Sequence, residues 1–137
     1  MDIREVSLIR HGDERGQLIA IESGKEIPFE IKRVYYIFDT LPHVRRGFHA
    51  HKTLLQFLFC PAGSCKIHFD DGTNSQETVL DSPDKGLLLR GVIWREMYDF
   101  TPSTVLAVLA SEAYDETDYI RDYDQFLAYV KQQEGQT

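Results

Sequence analysis

Short apolar runs separated by turn residues recur along most of this chain, and that rhythm limits the possible folds more than any other feature. Ten candidate strands follow from it, at 5–9, 17–22, 31–39, 47–51, 54–60, 64–69, 76–80, 86–89, 93–100 and 105–110. Between them stand Pro28, Pro42, Pro61-Ala62-Gly63, Asp71-Gly72, Pro83 and Pro102, residues that interrupt ladders or make tight turns. Asp71-Gly72, between Phe69 and Val79, reads as a hairpin loop. So many short strands in so short a stretch predict an all-β sandwich or barrel.

The tail changes period. Tyr119, Ile120, Tyr123, Phe126, Leu127 and Val130 recur three and four apart, one helical stripe. The expected helix covers about 117–132, with Thr117 as its cap, Asp118 in its first turn and Lys131 in its last. A packing role is expected for it.

At 137 residues, 42% hydrophobic and 27% charged, the chain reads as one globular domain over 1–137. A net charge of −7 argues against a nucleic-acid surface, which needs clustered cations. The N-terminus carries no long apolar export segment, and no run approaches the ~20 apolar residues of a membrane span. A cytoplasmic protein with no membrane partner is therefore expected. Cys60 and Cys65 bracket the Pro-Ala-Gly turn and read as free buried thiols. Two cysteines alone cannot complete a zinc site.

Arg46-Gly47-Phe48-His49-Ala50-His51 is the most informative stretch. In a strand, residues i and i+2 share a face, so His49 and His51 point the same way. With Gln56 and Gly63 they spell G-x-H-x-H-x4-Q-x6-G, which resembles the first cupin motif. The second cupin motif ends in a histidine; its counterpart here, from Gly86 to Arg95, ends in arginine. Gln56 stands where a carboxylate is usual, and a guanidinium offers no lone pair and repels cations. No catalytic metal is therefore expected. The plain alternative leaves His49 and His51 as ordinary core or surface histidines. In 31–38, one face carries Ile31, Arg33, Tyr35 and Ile37, the other Lys32, Val34, Tyr36 and Phe38; alternation does not choose the inner face. Tyr35 is either a packing residue or a proton relay. Trp94 is either core or a wall for a sugar or base.

Four segments carry a more specific resemblance: Lys32-Arg33-Val34-Tyr35-Tyr36-Ile37, Arg46 to Lys52, Val92-Ile93-Trp94-Arg95-Glu96-Met97, and Leu109 to Arg121. They resemble the bacterial dTDP-4-keto-6-deoxyglucose 3,4-ketoisomerases, the WxcM-like sugar 3,4-ketoisomerases of the cupin superfamily, over about residues 5 to 130. The resemblance implies a cupin-type jelly-roll barrel with a short C-terminal helix, a metal-free homodimer, and a dTDP-linked 4-keto-6-deoxy sugar as substrate. It makes His49 the acid/base at sugar carbon and Tyr35 the proton relay between sugar oxygens, with His51 beside them. Moving a carbonyl through an enediol would require no redox cofactor. Arg46 would hold diphosphate or sugar, and Arg15, Arg33, Lys52, Gln56, Trp94 and Arg95 complete the candidate substrate-binding set. Such enzymes prepare sugar nucleotides for 3-amino-3,6-dideoxyhexoses of surface polysaccharides, including the O-antigen of lipopolysaccharide.

Family members that set the galacto configuration at C4 resemble one another in an arginine at position 15 and a histidine at 95; those that set gluco carry tyrosine and arginine. This chain has Arg15 with Arg95, one signal of each kind. Arg95 lies in the better-defined motif and directs the expectation to gluco. A non-catalytic nucleotide-sugar-binding cupin is the competing function. It would keep Arg46 and Arg95 but has no need of His49 and Tyr35 together.

Overall fold

The computed structural model describes residues 1–135. Its elements are β1 (Ile3–Ser7), β2 (His11–Asp13), β3 (Gly16–Leu18), β4 (Arg33–Ile37), β5 (Arg46–His51), β6 (Gln56–Ala62), β7 (Cys65–Asp70), β8 (Ser75–Leu80), β9 (Lys85–Leu89), β10 (Trp94–Tyr98), β11 (Val105–Ala110), β12 (Tyr119–Ile120) and helix α1 (Tyr123–Glu134). One five-stranded sheet runs β1-β9-β6-β11-β4, the other β12-β5-β10-β7-β8, and β2 and β3 form a small hairpin. All the ladders between these strands are antiparallel.

The eight strands β4 to β11 distribute as 4, 6, 9, 11 and 5, 7, 8, 10, the double Greek key of a jelly roll. The two sheets share no ladder, so the expected barrel is an open sandwich. Its strands cross between layers through turns, most of which carry Pro or Gly, rather than through shared ladders. Facing side chains hold the layers together instead. Leu58, Leu87, Leu89, Leu106 and Val108 of one sheet meet Ile67, Phe69, Leu80 and Met97 of the other in a single buried cluster. Cys60 and Cys65 lie within it as free thiols, Sγ to Sγ 3.7 Å.

The turn chemistry was legible. Between β7 and β8 the Asp71 carboxylate accepts from the N–H groups of Thr73 and Asn74 at 2.9 and 2.8 Å, and Gly72 takes φ +94°. The candidate strand at 17–22 is shorter than expected, ending at Leu18; the segment beyond it lays Ile19, Ile21, Ile27 and Phe29 over the outer face of the first sheet.

The helix begins later than its stripe suggested. Asp115 caps a single 3-10 turn, Glu116–Asp118, by accepting from Thr117 N. Tyr119 and Ile120 then pair as strand with His51 and Ala50, and helical backbone starts only after Asp122, whose carboxylate accepts from Gln125 N. Tyr119 and Ile120 therefore belong to a sheet edge, not to a helical face. The rest of the stripe packs as expected: Phe126 is fully buried against Ala50, Trp94 and Ile120 of the chain's own second sheet.

Candidate active site

Strand β5 is regular except at one place. Arg95 of β10 faces His49 and Glu96 faces Gly47, so Phe48 has no opposite number and forms a β-bulge. Gly47 and Phe48 both adopt left-handed backbone, φ +96° and +56°. Glycine suits position 47 for a second reason: a Cβ there would stand 2.8 Å from the Arg95 carbonyl oxygen. In an unbroken strand, residues three apart point to opposite faces. The extra residue restores parity, and Arg46 lines the same cleft as His49.

That cleft encloses about 580 Å³, and Arg33, Tyr35, Arg46, His49, Tyr119 and Arg121 are among the groups that line it. Beneath it lies a buried polar stack. Arg95 is 3% exposed; its guanidinium donates to the Gln56 side-chain oxygen and to the Ile93 carbonyl at 3.3 and 3.0 Å. Gln56 donates in turn to the Tyr35 hydroxyl at 3.0 Å. With an acceptor lone pair so engaged, the Tyr35 hydroxyl proton remains available to another partner. Burial pushes the Tyr35 phenol up from its ordinary value, against the opposing pull of Arg95. It is a neutral hydrogen-bond donor near pH 7.

His49 and His51 are both buried, their rings in edge contact at 5.0 Å. Burial first, and the Arg95 charge second, lower His49 from 6.5 to about 4. His49 is thus a free base throughout the neutral range, not the half-protonated imidazole its reference value suggests. His51 is pushed down by the same two causes and by His49, with Asp118 opposing. Burial pulls Arg95 down to about 10, and it stays cationic at neutral pH. A cupin-type divalent metal does not fit this donor set, because the Gln56 oxygen already accepts from a guanidinium and the resident charge is positive.

The family model described as FdtA: WxcM-like, C-terminal matches residues 1–131. The chain belongs to that family. A relative from Aneurinibacillus thermoaerophilus, TDP-4-oxo-6-deoxy-alpha-D-glucose-3,4-oxoisomerase, is 58% identical over 118 residues, 86% of this chain and 85% of its own. The crystal structure of a mutant of the 3,4-ketoisomerase QdtA from Thermoanaerobacterium thermosaccharolyticum, in complex with TDP-4-keto-6-deoxyglucose, superposes with a TM-score of 0.93 at 43% identity, covering 96% of this chain and 95% of that one. The WlaRB TDP-quinovose 3,4-ketoisomerase of Campylobacter jejuni matches at 50% identity and a TM-score of 0.88, covering 93% and 98%.

Within this member of the FdtA family, the expected site residues divide. His49, Tyr35, Arg33 and Arg46 come together around the cleft, with His51, Gln56 and Arg95 packed behind them. Inner and outer faces of β4 are resolved as Arg33, Tyr35, Ile37 inward and Val34, Tyr36 outward. Three residues lie elsewhere in the chain. Trp94 is 3% exposed beneath α1, where it packs on Phe126 and its indole N–H donates to Glu96 at 2.9 Å; it is core, not a cleft wall. Strand alternation accounts for this, since its neighbour Arg95 takes the inner face. Lys52 extends over the Tyr129 ring of α1 at 5.7 Å, outside the cleft. Arg15, with a side chain 85% exposed, pairs with Asp13 at the tip of the β2–β3 hairpin, also outside the cleft.

The site also contains Tyr119, expected on the packing stripe of the C-terminal helix, and Arg121, expected within that helix. Tyr119 packs on His51 at 4.3 Å and His49 at 5.2 Å between ring centres, and Arg121 lies 4.2 Å over Tyr119. The available signal was the Asp122-x-x-Gln125 capping pattern, which places the helix start after these residues.

Proposed function

We propose that the protein is a TDP-sugar 3,4-ketoisomerase acting on TDP-4-keto-6-deoxyglucose. The observation that carries this reading is the meeting of a neutral His49 imidazole and the Tyr35 phenol on one arginine-lined cleft. The sugar is the one held by the QdtA complex and named for the Aneurinibacillus relative.

His49 removes the C3 proton. The electron pair left at C3 forms the C3–C4 double bond, and the C4 carbonyl oxygen takes a proton to give an enediol. Loss of the proton on the C3 oxygen then re-forms a carbonyl at C3 while C4 receives a proton. Nothing is oxidised overall, and protons in and out balance. Tyr35 passes a proton between the two neighbouring oxygens, and His51 supports the transfer from beside His49. The buried Arg95 charge stabilises the anionic enediolate, in surroundings too dry to screen it. Arg33, stacked 5.3 Å over Tyr35, and Arg46 receive the diphosphate.

The same reading assigns the gluco configuration at C4. Arg95 occupies the floor of the site, Arg15 stands outside it, and the Campylobacter relative is named for quinovose, which is 6-deoxyglucose. The product then serves 3-amino-3,6-dideoxyhexose and surface polysaccharide synthesis in the cytoplasm. Among the described residues no helix is long and apolar enough to cross a membrane. A homodimer completes the proposal, a second copy covering Val34, Tyr36 and Phe38 along the β4 edge, which are 58%, 60% and 54% exposed.

Incubation with TDP-4-keto-6-deoxyglucose, trapping of the product with a 3-aminotransferase and proton NMR test activity and configuration together. The expected product carries an axial hydrogen at C4; an equatorial one would reverse the configuration. TDP binding without turnover would instead establish a binding module.

A further inference from the structure

Four contacts converge on one carboxylate behind the site. Asp118 Oδ2 lies 2.9 Å from Nδ1 of His51. Its Oδ1 accepts from the backbone N–H groups of Lys52 and Thr53 at 3.1 and 2.8 Å, and from the Thr53 hydroxyl at 3.1 Å. With both oxygens engaged, the carboxylate cannot rotate without breaking several bonds. Burial pushes the Asp118 carboxyl up, but the Thr53 N–H and His51 outweigh burial and hold it below the usual carboxylate range. An ionised carboxylate only accepts hydrogen bonds, so the proton between the two residues sits on His51 Nδ1. The other ring nitrogen, Nε2, is buried and makes no hydrogen bond. A buried acceptor left unpaired is destabilising, and native structures retain such groups sparingly.

We propose that Asp118 is a positioning residue: it locks His51 in the tautomer with hydrogen on Nδ1, which leaves the unpartnered Nε2 as a permanent proton acceptor beside His49. The tautomer lock depends only on the contacts above. Its service to turnover rests on the ketoisomerase reading. Tyr119, whose ring packs 4.3 Å from that of His51, completes the enclosure and holds the imidazole plane. Asp118 reaches the chemistry only through His51 and does not itself line the cleft around His49 and Tyr35.

Asn at position 118 separates structure from tautomer. Its amide oxygen still satisfies the Lys52 and Thr53 N–H groups, which turns the amide N–H2 toward His51. Nδ1 must then accept, and the ring hydrogen moves to Nε2. Long-range 1H–15N NMR of histidine-labelled protein, with His51 assigned by its loss in His51→Asn, reads the tautomer without substrate. Wild type is expected to show hydrogen on Nδ1, and Asp118→Asn on Nε2. In turnover of TDP-4-keto-6-deoxyglucose, Asp118→Asn is expected to lose about 10–100-fold in kcat with KM nearly unchanged. Thr53→Ala, which removes one contact to the same carboxylate, keeps both tautomer and kcat. Hydrogen on Nε2 in the wild type overturns the lock whether or not the protein is an isomerase, and whether or not Asp118→Asn folds. An exchanged tautomer with kcat unchanged, or a Thr53→Ala loss as large as that of Asp118→Asn, overturns the role in turnover. Absence of wild-type turnover with the Nδ1 tautomer present rejects the function and leaves the lock standing.

Discussion

The two ends of the sandwich interior are built by the same strands and hold opposite chemistry. Strand β6 contributes Gln56 to the polar end and, two and four residues on, Leu58 and Cys60 to the apolar end. Likewise β10 contributes Arg95 and then Met97, and β4 contributes Tyr35 and then Ile37, with Met97 and Ile37 standing where the cleft wall passes into the core. One step along the inward face of each strand converts a site into a core. The apolar end is held by area removed from water, without direction. Its polar counterpart is held by a directional chain, Arg95 to Gln56 to Tyr35, in which each buried group answers another. The site thus inherits the rigidity of the core strands, while its own residues break the apolar pattern those strands otherwise follow.

If that division is right, damage at the two ends should be of different kinds. The largest effect is expected from His49→Asn, which should lower kcat by about 10²–10⁴-fold while melting temperature changes little, as steady-state kinetics and calorimetry would show. Full turnover by this variant would erase the distinction. At the other end, Ile67→Ala should destabilise the fold by about 2–5 kcal/mol in urea titration, yet leave kcat of the folded protein intact. A matching fall in kcat would mean that the two ends are mechanically one. A smaller effect concerns acid. His49 titrates at 6.5 when unfolded and about 4 when folded, so between those values the unfolded chain binds more protons and stability falls as pH drops. His51 adds in the same direction. The melting temperature should decline from pH 7 to pH 5 in wild type and in Ile67→Ala alike, and less steeply in His49→Asn. Equal slopes in all three would remove His49 as a source of that acid sensitivity.

The apolar end was readable from sequence because it obeys local rules. Alternation, turn residues and the Asp71-Gly72 hairpin located most strands, and the shared direction of His49 and His51 followed from the strand period. Elsewhere the determinants were not local. The inner face of β4 is chosen by what β11 and the opposite sheet present to it, since both of its faces mix charge, ring and aliphatic side chains. Trp94 and Arg95 are adjacent and lie on opposite faces, so a motif match could not say which was core. Residues 119 and 120 suit a helical stripe, yet the free edge of β5 captures them as strand. With that capture Asp118 and Tyr119 leave the surface and join the site.

The unopposed residue in β5 bears on how such a site can change over time. Side chains before and after Phe48 are in antiphase with the plain two-residue rhythm, so the strand has a reading frame as well as a sequence. Exchanging one residue for another on either side alters a single group. Adding one residue between Arg46 and His49 would instead shift the phase and turn the arginine away from the imidazole, leaving every letter of the motif in place.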